Sequence, residues 1–71
     1  MITAQQFKSS YINLKIIIEK QGRTQTDVAD EMAMNRSTFN LKINRANGRD
    51  FSLDEAKRLA EILNVKIDNF F

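Results

Sequence analysis

Apolar residues recur along this chain at helical spacing, and no useful length of strand-like alternation occurs. At about 100° per residue, Phe7, Tyr11, Leu14, Ile17 and Ile18 fall on one stripe, with Ile12 and Ile16 on the opposite face. Ahead of them Thr3-Ala4-Gln5-Gln6 reads as a capping box, in which a hydroxyl accepts from a free backbone N–H and Gln6 reaches back. The spacing therefore predicts a first helix from Thr3 to about residue 21. Thr24, with Asp27 three positions on, opens a second helix whose inward residues are Val28, Ala29 and Met32. Ala33 and Met34 break the pattern. Asn35 is placed to cap a short third helix that buries Phe39 and Ile43. Ser52-Leu53-Asp54-Glu55 is a second full capping box, and its helix is expected to bury Leu53, Ala56, Leu59, Ala60 and Leu63. Asn64 suits a left-handed stop, and Val65, Ile67, Phe70 and Phe71 suggest a last helical turn closing the core. The expectation is an all-α chain of five short helices.

With 71 residues the chain has room for one domain, 1–71, without linker, repeat or low-complexity segment. A chain of this size buries only about 60% of its unfolded surface, so its core must be economical. There is no proline, and the two glycines, Gly22 and Gly48, both sit where a helix pattern ends.

Composition removes several chemistries. With no Cys and no His, a disulfide, a thiolate nucleophile and a Cys/His zinc site are excluded. No glycine-rich phosphate loop and no carboxylate pair in an apolar setting is present, so no catalytic residue, cofactor, metal or small-molecule substrate is expected. The longest apolar run, Ile16–Ile18, is far below the ~20 residues of a membrane span. The first ten residues lack a signal-peptide pattern. A cytoplasmic location is the expectation.

Net charge is only +2, from 11 Lys+Arg against 9 Asp+Glu. Its distribution says more than its total. Arg36, Lys42, Arg45 and Arg49 lie between Asn35 and Arg49 without an acid, directly after the acidic Asp27, Asp30 and Glu31. A local basic window is what phosphate contact requires, although a solvated charged face has the same composition.

The stretch from Gln25 to Asn44 carries the chemistry. Ala29 is small where two helices would cross, Met34 plugs the turn, and Phe39 and Ile43 anchor the next helix from beneath. The outer face of that helix, about residues 36–43, then offers Ser37, Thr38, Leu41 and Asn44, flanked by Arg36 and Asn40. Short polar groups, a guanidinium and one apolar side chain suit base edges and a thymine methyl in a major groove.

The run Gln25-x-x-Val28-Ala29-Asp30-x-Met32-x-Met34 resembles the helix-turn-helix of lambda repressor and its Cro-type relatives, at about residues 25–44. Glu19–Thr24 and Phe51–Phe71 resemble the flanking parts of that family. The segments FNLKIN and FSLDEA look most like regulators from phages of Gram-positive bacteria. The likeness covers roughly residues 10–71 and implies a compact five-helix lambda-repressor-like domain. It puts Gln25, Arg36, Ser37 and Leu41 at groove-contacting positions and Asn47 at a further contact in the following loop. There are three departures, one being that no separate dimerisation domain is expected beyond Phe71. Ala33 stands at the turn position usually held by glycine, and the apolar anchor past Phe39 has moved to Ile43, leaving Lys42 at the old place.

The resemblance implies a phage transcriptional regulator that binds double-stranded operator DNA in a bacterial cytoplasm and acts sterically in a lysogeny/lysis switch. Lys42, Arg45 and Arg49 would serve as phosphate clamps more readily than as base readers. The alternative is an antirepressor, or modulator of repression, of the same fold that acts by pairing with a partner repressor. Either role involves a homodimer or a heteromer, for which Ile12, Ile16, Phe70 and Phe71 are the candidate surface. For Phe70 and Phe71 core packing is the plain alternative.

Overall fold

Side-chain caps decide where three of the helices begin. The computed structural model describes residues 11–71, so the Thr3–Gln6 box and Phe7 lie outside the described residues. Four α-helices follow in order: α1 (Ile12–Lys20), α2 (Gln25–Glu31), α3 (Arg36–Ile43) and α4 (Leu53–Leu63). Two 3-10 turns, Ala46–Gly48 and Ile67–Asn69, complete the chain, and no strand occurs among the described residues.

Thr24 Oγ1 accepts from the Asp27 N–H at 3.1 Å, and Asp27 Oδ2 accepts from the Thr24 N–H at 3.0 Å. Ser52 and Glu55 make the same reciprocal pair at 3.2 and 2.9 Å. Asn35 Oδ1 accepts from the Ser37 N–H at 2.8 Å. These satisfy donors that a helix start leaves without partners.

Each of the four helices gives way to a left-handed residue: Gly22 (φ 70°), Ala33 (φ 54°), Arg45 (φ 53°) and Asn64 (φ 55°). Three of them close with one hydrogen-bond pattern. After α1, the Gly22 N–H bonds Glu19 O and the Arg23 N–H bonds Ile18 O; after α2, Ala33 bonds Asp30 O and Met34 bonds Ala29 O; after α4, Asn64 bonds Glu61 O and Val65 bonds Ala60 O. This is the Schellman arrangement, which satisfies the last carbonyls from the backbone alone. Gln21 Nε2 also donates to Leu63 O at 2.6 Å, so α1 caps the end of α4.

Among the described residues the core is apolar throughout, with no buried polar or charged residue. Leu14 and Ile18 of α1, Val28, Ala29 and Met32 around α2, Phe39 and Ile43 of α3, and Ala56, Leu59 and Leu63 of α4 close on Phe51 and Tyr11. Phe51 lies 5.5 Å from both Tyr11 and Phe39, centroid to centroid, in tilted pairs.

Four expectations are corrected. First, α1 begins at Ile12 instead of running through Tyr11, whose ψ of 76° is not helical and whose N–H bonds Ile43 O at 2.9 Å. Second, Leu53 is 54% exposed: it is the first residue of α4, a turn before the buried stripe begins. Third, the expected fifth helix is a single 3-10 turn, Ile67–Asn69. Fourth, Phe70 belongs to the core, which removes it from the exposed interface candidates.

Candidate functional site

The start of α2 and the exposed face of α3 enclose an open groove of about 500 Å³, lined by Gln25, Thr26, Arg36, Ser37, Asn40 and Leu41. Residues 36, 37, 40 and 41 share one face of α3 because their spacing is one helical turn, while Phe39 and Ile43 hold the opposite face in the core. The Ala33 reversal fixes α2 against α3 through the Met34 N–H bond to Ala29 O at 2.9 Å.

No acid lines this groove. Two acids of α2 are engaged elsewhere. Asp27 is turned back onto its own N-cap, and the Thr24 backbone N–H and hydroxyl hold its carboxyl below the usual value. Glu31 pairs with Arg23. Among the described residues Arg36 is the only charged one of the lining. Around it stand hydroxyls, two amides and the half-buried Leu41, a set able to donate, accept and make apolar contact at once.

No family model, curated protein or solved structure matches the chain.

Five of the ten expected contact residues, Gln25, Arg36, Ser37, Asn40 and Leu41, are brought together in the groove. Thr26 completes the lining and went unforeseen, although its place beside Gln25 on the opening turn of α2 was visible in the sequence. Thr38 is half-buried outside the lining. The other four lie toward or beyond the end of α3. Asn44 Oδ1 accepts from Lys15 Nζ at 2.6 Å, and its Nδ2 donates to Asn40 O at 2.9 Å. Lys42 Nζ donates to both Glu55 oxygens, at 2.9 and 2.7 Å. Arg45 lies 4.0 Å over the Tyr11 ring, with its Nε 3.7 Å from Asp50 Oδ1. Asn47 is exposed in the loop with left-handed backbone.

The basic window is thus less basic in space than in sequence. Lys42 and Arg45 meet Glu55 and Asp50, two acids that lie just beyond the window. Burial pushes the Glu55 carboxyl up, but the Lys42 ammonium and the Ser52 N–H outweigh it and hold it below its usual value. Tyr11 donates to Asp50, and burial together with that bond keeps the phenol above its usual value. Arg45, Tyr11 and Asp50 form a small lock where the loop after α3 meets α1. Among the described residues no group of His, Cys, Asp and Glu could hold a metal ion, and no helix is long and apolar enough to cross a membrane.

Proposed function

We propose that α2 and α3 form a helix-turn-helix of the lambda-repressor type, and that the chain is a small phage-type transcriptional regulator of operator DNA. The single observation that carries this reading is the groove: an acid-free concavity lined by Gln25, Thr26, Arg36, Ser37, Asn40 and Leu41.

In this reading α3 enters the major groove. Arg36 and Asn40 bond base edges, Ser37 adds a short donor and acceptor, and Leu41 meets a thymine methyl. Gln25 and Thr26, on the first turn of α2, reach the flanking phosphates, where a helix start favours an anion. One copy makes few base contacts, so two copies act together on half-sites about 34–36 Å apart. The bound protein excludes polymerase or a competing repressor and performs no catalysis. It works in the cytoplasm of a bacterial host.

A mobility-shift series on the lysogeny-control region of the source genome tests the reading. The intact chain should shift a discrete fragment, and Arg36→Ala with Ser37→Ala should lose that preference while staying folded. Equal binding to all fragments by both proteins would overturn it.

A second reading is favoured by a different observation. Ile12 and Ile16, one turn apart on α1, are 57% and 43% exposed. Such a pair suits a protein partner, so a modulator that covers a related repressor is the competing role. Adding that repressor to the same assay separates the two: a modulator lifts the repressor's own shift.

A further inference from the structure

We propose that Asn47-Gly48 is a self-modification site, where deamidation turns the neutral tip of the basic loop into a carboxylate. Asn47 and Gly48 are both exposed, in a three-residue 3-10 turn whose backbone is left-handed at Asn47 (φ 56°, ψ 35°) and at Gly48 (φ 75°). The space where a Gly48 Cβ would stand is empty to 4 Å. No neighbour packs against the Gly48 Cα on that side, and glycine lets the backbone rotate into the ring-closing geometry. The Arg49 N–H bond to Ala46 O at 2.9 Å closes this turn, and a single 3-10 turn opens readily.

The chemistry needs only base and water. Base removes the Gly48 amide proton, and the nitrogen attacks Asn47 Cγ. An N–Cγ bond forms, the Cγ–Nδ2 bond breaks, and ammonia leaves with a proton from water. Water then opens the cyclic imide at either carbonyl, giving aspartate or isoaspartate.

The other described asparagines lack this combination. Asn64 has almost the same backbone (φ 55°, ψ 46°), but Val65 follows it with a β-branched side chain. The Val65 N–H is also committed to Ala60 O at 3.0 Å. The Asn44 amide is held at both ends, by Lys15 and by Asn40 O. Asn47 is the only asparagine in the sequence followed by glycine.

The product places a negative charge two residues from Arg45 and from Arg49. This second consequence rests on the DNA-binding reading: the loop that faces phosphate would lose attraction as the protein ages.

The full chain is incubated at mildly alkaline pH and physiological temperature and followed by peptide mass mapping and isoelectric focusing. A synthetic peptide of residues 44–51 sets the unrestrained rate. The expected result is an acidic shift of one charge that maps to Asn47, with Asn64 intact and with no shift in Asn47→Gly. If Asn47 stays intact when the peptide has fully converted, the proposal is overturned. Conversion at another asparagine first also overturns it. In a parallel arm, fresh Asn47→Asp should bind DNA about three- to tenfold more weakly at low salt. Unchanged binding by Asn47→Asp overturns the loss of attraction and leaves the chemistry standing. Failure of the fresh unmodified chain to bind DNA counts against the functional reading alone.

Discussion

The Lys42 ammonium sits 2.7 Å from a carboxylate oxygen of Glu55, tying the last turn of α3 to the first turn of α4. The same carboxylate caps α4 by accepting from the Ser52 N–H. One side chain therefore holds a helix start and a helix–helix contact together.

This arrangement predicts a direction of pH dependence. Glu55 and Asp27 both titrate below their usual values of 4.5 and 3.8 in the folded chain. As pH falls, the unfolded chain takes up protons first. The stabilisation is thus full above the usual carboxylate range and is lost as pH drops through the folded values. Thermal melting from neutral pH downward should show a falling midpoint. Glu55→Gln, which keeps the cap but not the charge, should flatten the fall. A Glu55→Gln curve parallel to the unaltered protein would assign the acid loss elsewhere.

Ala33 offers a stabilising change. It carries a left-handed φ of 54° with a Cβ that glycine lacks. Ala33→Gly should raise stability by about 0.5–1 kcal/mol, and Gly22→Ala, at φ 70°, should lower it by a similar amount. Urea denaturation reads both, and shifts of the same sign would contradict the argument.

Ala29 is fully buried in the core, and its carbonyl accepts from the N–H groups of Met32 and Met34. Ala29→Leu should cost about 1–3 kcal/mol by overpacking. An unchanged melting temperature would mean that α2 packs there with room to spare.

Arg36 and Arg45 should separate cleanly. Arg45 stacks on Tyr11 and faces Asp50, so Arg45→Ala should lower stability by about 0.5–2 kcal/mol even without DNA. Arg36→Ala should leave the melting curve in place and cost about 1–3 kcal/mol of discrimination at particular base pairs. The reverse pattern would exchange their roles.

Ile12→Lys with Ile16→Lys should keep the circular dichroism of the fold, since both side chains point to solvent. It should abolish self-association, or association with a related repressor, by light scattering. Persistent association would move the interface, with the half-exposed Phe71, stacked 6.3 Å from Tyr11, as the next candidate.

Helix boundaries set by short-range chemistry were legible in the sequence. Thr24, Asn35 and Ser52 cap within three residues, and the stop at Asn64 is equally local. The buried stripe of α4 and the outer face of α3 followed from periodicity. What was not legible depends on partners distant in sequence. The break at Tyr11 is made by Ile43 O, and the basic window is answered by Glu55 and Asp50. Leu53 misled because it fits the stripe by type and by angle, but as the first residue of the helix it stands a turn before the core begins. The Tyr11–Arg45–Asp50 lock has the same origin as the Tyr11 break: spacing identifies a face and leaves open what stands opposite it.

The left-handed stops at Gly22, Ala33, Arg45 and Asn64 bear on how such a chain can change over generations. In three of the four the reversal is held by bonds between backbone groups, none of which involves residue 36, 37, 40 or 41. The scaffold is therefore indifferent to what Arg36, Ser37, Asn40 and Leu41 happen to be. If the proposed DNA-binding role holds, lineages could rewrite those four positions to follow a drifting target while inheriting the same chassis.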